Sequence, residues 1–484
     1  MNALKPAFSD RSAFAPSEGY RLLPFRFNRI GERYIATNDV GEYVFLAPCE
    51  LTDLVNHRLP PSLPVYRELQ SRHFILEDTS RVAVDLLALK YRSRVARVAE
   101  FTALHMFVVT LRCDHSCHYC QVSRQTEDRA NFDMSREHAE QAVRMVFRSP
   151  ARRLKIEFQG GEPLLNFDLI RHIVEYATLL NRHARRDLAF VIASNLSRLT
   201  DEILDFCREH RVALSTSLDG PQDLHDKQRP LRGGSSHAAV LVGISRARRA
   251  LGNDAVSALM TTTPGAIERV DEIIEEYART GFHSIFLRAL SPYGFAARSL
   301  VRRYDTDAWV AFYKRGLRRV LEMNRAGFPM REECTAILLQ KIFSPTGTGY
   351  IDLQSPAGIG IAGIVYNYDG SVYASDEGRM LAEMGETQFM LGHLDRNSYE
   401  EMMTGEQLLA PLDATVLESA PRCSECAFLP YCGADPVFHQ ATMGDWLGHK
   451  AFSSFCAKQT AVLEHLFELL ETDPGARETM LGWL

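Results

Sequence analysis

Between residues 104 and 290 short apolar runs alternate with longer amphipathic stretches. The runs HMFVVTL, RLKIEFQ, DLAFVIAS, VALSTSL, AVSALMT and SIFLRAL are rich in β-branched and aromatic residues, as strands buried in a parallel sheet are. Between them SREHAEQAVRMVF, FDLIRHIVEYATLLNRHA, TDEILDFCREH, HAAVLVGISRARRAL and AIERVDEIIEEYARTGF read as helices. Several begin on a capping residue, Ser135, Asp168 or Thr200, whose side chain can accept from the first-turn amides. Six strand–helix units within residues 99–325 predict an α/β fold, a partial (β/α)6 barrel. In such folds chemistry gathers where the C-terminal ends of strands run into loops.

The flanks follow other patterns. Residues 1–19 are expected to form a flexible tail, because no charged segment there precedes an apolar run as in a secretory signal. Residues 20–98 begin with short strands broken at NRIGE and TNDVGE, continue into the helical stretches CELTDLVNHRL and SLPVYRELQSRHF, and reach a polar link near 77–81. This predicts a small α+β unit. Residues 326–460 form a cysteine-bearing appendage in which YNYDGSVYA reads as a hairpin turning at Asp-Gly, a strong turn signal. A helix over 461–484, AVLEHLFELLE at its start, closes the chain.

Composition narrows the classes. The chain has 484 residues, 46% hydrophobic and 24% charged, and a net charge of -6, which offers no basic field to a nucleic acid. No apolar stretch approaches the ~20 residues that span a bilayer, so no membrane partner is expected. Ten cysteines without an export signal point to a reducing, cytoplasmic setting, where thiols serve metals or catalysis. Cys49, Cys207 and Cys334 stand outside any pattern and are expected to be buried small residues.

The other seven cysteines carry the chemistry. RCDHSCHYCQ places Cys113, Cys117 and Cys120 directly after the first strand. Three thiols can hold a [4Fe–4S] cluster and leave one iron open to a small molecule. A zinc site completed by His115 or His118 is the alternative. The second strand runs into GGEP, with Gly160, Gly161 and Glu162; two glycines allow close backbone approach to a ligand. The third runs into SNLS and the fourth into LDGP. Four successive loops with polar or metal-binding groups therefore share one predicted face. RCSECAFLPYCGADP supplies Cys423, Cys426 and Cys432, and Cys456 follows; these four could bind a second cluster or a tetrahedral zinc.

The Cys-x3-Cys-x2-Cys loop after the first barrel strand, with Tyr119 before the last cysteine, resembles the radical SAM superfamily. That resemblance implies a SAM-binding [4Fe–4S] cluster on Cys113, Cys117 and Cys120, and SAM cleavage to a 5′-deoxyadenosyl radical that takes a hydrogen atom from substrate. It implies that Gly160, Gly161 and Glu162 hold the methionyl amine of SAM. Ser194, Asn195, Ser217 and Asp219 resemble positions that contact its ribose or carboxylate, and Arg288 could reach SAM or a substrate carboxylate. The N-terminal unit resembles the winged-helix peptide-recognition elements of peptide-modifying enzymes. The appendage resembles the SPASM domain, which usually carries two auxiliary clusters. Here Ser375 and Pro436 stand where two cysteines of the first auxiliary cluster would be. The resemblance therefore implies one auxiliary [4Fe–4S] cluster, fully ligated by Cys423, Cys426, Cys432 and Cys456. By likeness to sulfatase-maturing enzymes Asp376 is a candidate general base, with Asp435 another carboxylate nearby.

LLPFRF, TALHMFVVTLRC, YCQVSR, KIEFQGGEPLLNF, SALMTTT, IFLRALSPYGFA, DLQSPAGIG and YNYDGSVYASDEGRMLAEM resemble the B-type radical SAM maturase of the His-Xaa-Ser peptide system. This implies a ribosomally made precursor peptide with His-Xaa-Ser motifs as substrate and a side-chain crosslink as product. It also implies a flavodoxin- or ferredoxin-like reducing partner and a second radical SAM maturase. The competing expectations are a formylglycine-type oxidation of Ser or Cys and a non-catalytic peptide-binding partner of that second maturase.

Overall fold

A computed structural model describes residues 19–77, 82–298 and 304–484. Nearly all of the expected tail, and all but one residue of the expected polar link, lie outside the described residues. The N-terminal unit is α+β, as its pattern requires. Strands β1 (Arg21–Leu22) and β5 (Ile75–Leu76) pair antiparallel, and β2 (Phe25–Ile30), β3 (Arg33–Asn38) and β4 (Tyr43–Leu46) form an antiparallel sheet. Helices Pro48–Val55 and Pro64–Ser71 cover it, and Leu54, Leu69, Phe74 and Ile75 are fully buried in its own core. A further helix, Val82–Val95, has no one-sided apolar stripe, so periodicity gave it no signature.

The barrel strands β6 (Leu104–Thr110), β7 (Arg153–Gly160), β8 (Asp187–Ala193), β9 (Val212–Ser217) and β10 (Val256–Leu259) run parallel in sequence order. Their apolar side chains, Phe107, Ile156, Phe158, Ile192 and Leu214 among them, sit in the main core. The expected sixth strand departs from prediction. Only β11 (Ser284–Ile285) is extended, and it pairs with β12 (Arg331–Glu332) rather than with β10; a single bridge, Thr262 to Ala289, links this stretch to the neighbouring segment. Side chains replace the ladder there. The Leu287 amide donates to the Glu332 carboxylate (3.1 Å), and the Leu290 amide donates to the Tyr304 hydroxyl (2.8 Å). These partners satisfy the backbone without a strand.

The appendage continues the same sheet. Strand β13 (Gly363–Tyr366) lies parallel to β6, and β14 (Ser371–Tyr373) and β15 (Met390–His393) extend it antiparallel, giving the order β10-β9-β8-β7-β6-β13-β14-β15. The expected hairpin turn holds Gly370 at φ +90°, where a Cβ would strike the rings of His138 and His393. Ser135 and Thr200 cap their helices by accepting from the amides of His138 and Ile203. Asp168 does not cap: Asn166 precedes helix Phe167–Ala184, and Asp168 lies inside its first turn. The C-terminal end is two helices, Ser454–Thr472 and Pro474–Leu481, the first beginning before Cys456.

The N-terminal sheet docks on the cysteine-bearing loop of the appendage. Thr37 Oγ1 donates to the Ala427 carbonyl (2.6 Å), Arg26 Nε to the Ser424 carbonyl (2.5 Å), and Tyr431 Oη to the Gly41 carbonyl (2.9 Å). Among the described residues no helix is long and apolar enough to cross a membrane.

Candidate active site

Strand β6 ends at Thr110, and the chain then turns across the mouths of β7 and β8. Arg112 anchors this turn with paired bonds to Asp133 (2.7 and 2.8 Å), a geometry that fixes both groups. Asp114 ties it to the loop after β8, accepting from Asn195 Nδ2 (2.8 Å), Ser197 Oγ (2.7 Å) and Arg198 Nε (2.8 Å). Burial alone would raise the Asp114 carboxyl, but bonds from His115, Ser197 and Asn195 hold it well below the usual carboxylate range. His115 Nδ1 lies in the same network, 2.9 Å from Asp114 and 2.8 Å from Asn195. Cys120 is pinned by the Phe295 amide on its carbonyl (2.8 Å).

Cys113, Cys117 and Cys120 open onto one cavity of about 230 Å³. Gly160, Gly161, Ser194, Asn195, Ser217, Arg288 and Asp376 line it too. The loop ends of four strands thus converge, and the start of helix Asp376–Ala382, which the strand order did not predict, joins them. Two expected site residues do not line it. Glu162, fully buried, turns its carboxylate into the protein, accepting from Ser194 Oγ (2.7 Å) and from the amides of Asn195 (2.8 Å) and Leu164 (3.1 Å). Asp219, also fully buried, accepts from Tyr119 Oη and from the Thr261 amide. Both hold residues that line the cavity, Glu162 through Ser194 and Asn195 and Asp219 through Tyr119 and Thr261.

The glycines of GGEP also have a reason other than ligand approach. A Cβ on Gly160 would stand 2.0 Å from the Thr110 carbonyl oxygen, and one on Gly161 2.1 Å from that of Arg112. The glycines let the end of β7 lie against the strand that launches the cysteine loop. Arg229 lines the cavity without any signature in the sequence beyond its charge. Its Nη1 donates to Tyr119 Oη (2.7 Å), and its guanidinium lies 5.9 Å over the centre of that ring.

The donor set fits an iron–sulfur cluster. Zinc–sulfur bonds of ~2.3 Å in a tetrahedron draw sulfurs to within about 4 Å of one another. Among the described residues, ligand atoms within 4.8 Å of one another gather only as Cys113/Asp114/His115 and His138/His393/Asp395. Neither set joins three thiols, so Cys113, Cys117 and Cys120 do not bring all three sulfurs within 4.8 Å of one another, as a single zinc ion would. Cys423, Cys426, Cys432 and Cys456 line a separate cavity of about 350 Å³ beside Phe27 and Asn28 of β2, and no three of their sulfurs lie within 4.8 Å of one another. Burial pushes the Cys423 thiol up to about 11 and the Cys432 thiol up to about 12, so a cation beside them would stabilise their thiolates. Cys207 is buried as expected; Cys49 is exposed, and Cys334 is half-buried against another cavity. Cys49 caps no core because it sits on the outer side of a two-turn surface helix.

Residues 107–277 match the Radical SAM superfamily model. An uncharacterized protein of Methanocaldococcus jannaschii is 31% identical over 126 residues, 26% of this chain and 41% of that one. The radical SAM cyclopropyl synthase TigE of Paramaledivibacter caminithermalis is 22% identical over 222 residues, 43% of each. The chain thus spans less than half the length of these two relatives. The cysteine-type anaerobic sulfatase-maturating enzyme of Clostridium novyi is 20% identical over 374 residues, 74% of this chain and 94% of that one. Among solved structures, anSMEcpe with bound AdoMet and the Cp18Cys peptide has a TM-score of 0.63 at 16% identity, covering 76% of this chain and 97% of its own. Streptococcus suis SuiB bound to precursor peptide SuiA has a TM-score of 0.53 at 10% identity, covering 89% and 98%. These structural likenesses concern the fold. The match to the Radical SAM superfamily lies over the strands and loops that build the cysteine cavity.

Proposed function

We propose that the protein is a radical SAM enzyme that modifies a ribosomally synthesised peptide. The observation that carries this reading is the meeting of Cys113, Cys117 and Cys120 with Ser194, Asn195, Ser217 and Arg288 on one cavity at the C-terminal ends of parallel strands. The three thiols would hold a [4Fe–4S] cluster with one iron open, and the strand-end loops would hold SAM. When bound, the two supply an electron and a carbon radical able to take a hydrogen atom from an unactivated position. Arg229 and Arg288 bring positive charge to the cavity for a carboxylate, Arg229 oriented by Tyr119 and Asp219. Asp114 fixes the cysteine loop against β8. Asp376 lines the cavity at the first turn of its helix, where it could accept the proton a substrate sheds as it is oxidised. Cys423, Cys426, Cys432 and Cys456 would carry one auxiliary cluster.

A peptide substrate is supported by the likeness to SuiB, solved with a precursor peptide. The finer reading, a crosslink in a His-Xaa-Ser repeat peptide made with a reducing partner and a second maturase, rests on sequence resemblance. Formylglycine formation is the second reading, favoured by the position of Asp376 and the sulfatase-maturating relative.

The first test is 5′-deoxyadenosine release by reduced, reconstituted protein. It should vanish in a Cys113→Ala, Cys117→Ala, Cys120→Ala triple variant, and turnover surviving there would sink the radical SAM reading. Mass spectrometry of a His-Xaa-Ser peptide then separates the products. Both lose two hydrogens, but only the aldehyde of formylglycine reacts with a hydrazide. Asp376→Asn should lower peptide modification by about 10²–10⁴-fold if the carboxylate is the base.

A further inference from the structure

A second chamber adjoins the cysteine cavity and has no part in the chemistry above. Asp352, Glu377 and Asp435 line a space of about 110 Å³ with Lys458 and the aromatic residues Trp309 and Phe455. Arg288 lines both cavities and stands 3.7 Å from Glu377 Oε1, so the two spaces meet at its guanidinium. Ser375 and Pro436, the positions that the SPASM resemblance would fill with cysteine, open the helices that carry these acids. Ser375 caps helix Asp376–Ala382, and Asp435 caps Pro436–Met443. Carboxylates therefore occupy a region where relatives would place thiols.

Two observations say that the chamber awaits an organic group. The Tyr293 hydroxyl and the Trp309 indole N–H, on side chains 1% and 4% exposed, line it without a hydrogen-bond partner among the described residues. Buried polar atoms are nearly always paired, and two orphans on one wall call for an incoming partner. Second, the three carboxylates do not bring their oxygens within 4.8 Å of one another, whereas one metal ion with bonds of ~2.0–2.6 Å would need them closer. Three acids also face two cations. Burial and the charge of Asp352 push Glu377 up to about 8 and Asp435 up to about 7, and burial raises Asp352 against the pull of Arg288 and Lys458; a cation entering the chamber would favour their ionised forms.

We propose that this chamber is a subsite for a basic side chain of the peptide substrate: a protonated imidazole, ammonium or guanidinium. The carboxylates hold the charge, Trp309 and Phe455, over whose rings Lys458 Nζ already lies (5.6 and 5.4 Å), close the apolar side, and Tyr293 and Trp309 donate to oxygen atoms of the adjoining peptide. The assignment deepens the peptide-modifying reading and rests on it.

The test uses full-length, reconstituted protein and fluorescein-labelled peptides of Gly, Ser and Ala carrying one central His, Lys, Arg or Ala, followed by fluorescence anisotropy. At least one basic peptide should bind about tenfold or more tightly than the Ala peptide, as expected for pairing with buried carboxylates. Asp352→Asn with Asp435→Asn should erase that advantage. Tyr293→Phe guards against a double variant that fails to fold. Removing an unpaired buried hydroxyl should leave the thermal midpoint unchanged or higher, yet weaken the same basic peptide several-fold. Equal binding of all four peptides overturns the chamber assignment while leaving a peptide substrate in place. An advantage that persists in the double variant, or a lower midpoint in Tyr293→Phe, overturns it too. Failure of every peptide to bind overturns both the chamber and the peptide reading.

Discussion

Glu162 shows how one carboxylate can tie together residues that line a site. Burial outweighs the bonds from Asn195, Ser194 and Leu164 and pushes it up to about 7, above the ordinary 4.5. A carboxyl raised on folding binds more protons in the folded than in the unfolded chain between those two values, so it draws stability down as pH climbs through them. In cluster-free protein, Glu162→Gln should therefore change stability relative to wild type in a pH-dependent way. The difference between the two, measured by urea unfolding, should move between about pH 4.5 and 7 and level off outside that window. A flat difference across the window would mean that Glu162 is ionised throughout. The sequence made GGEP legible as a site element from its place after a strand. It could not show that the glycines answer to the carbonyls of Thr110 and Arg112, because that contact joins two segments some fifty residues apart only once the sheet has formed.

Among elements, the N-terminal sheet has the least obvious task. Its strand β2 borders the four-cysteine cavity through Phe27 and Asn28, and Arg26 holds both Asp39 (2.6 Å) and the Ser424 carbonyl between Cys423 and Cys426. Arg26→Ala should loosen that loop. Hydrogen exchange across 423–432 should quicken, and the metal bound there should be lost sooner to a chelator, while the Cys113 site keeps its own. Equal retention in variant and wild type would make the contact incidental. Most elements were legible because their periodicity agrees with their burial, as in β7 and in helix Arg136–Val146. The sixth barrel strand was not, because SIFLRAL has strand composition while Glu332 and Tyr304 supply its amides with side-chain partners. Asp168 misled for a related reason: an acidic residue suits the first turn as well as the cap, and composition does not separate the two.

For the whole molecule, metal content is the decisive number. Two [4Fe–4S] clusters require about eight irons per chain, and the Cys113/Cys117/Cys120 triple variant should retain about four. Zinc in place of those four would make the C-terminal thiols a structural ion site and remove an electron relay from the mechanism. The convergence of four loops on one face was legible because parallel strands put their C-terminal ends together. The carboxylate chamber was not, since Asp352, Glu377 and Asp435 come from three separate segments whose meeting depends on the tertiary fold.

The pairing of β6 with β13 has a consequence for biosynthesis. Thr110 and Gly363 lie 253 residues apart (363 − 110). At translation rates of roughly 5–20 residues per second, the strand that launches the cysteine loop waits about 13–50 s for its neighbour. During that time its flank is an open edge, able to pair with another nascent chain. Chains that stop short of residue 363 should therefore aggregate even though they contain every cysteine of the first set.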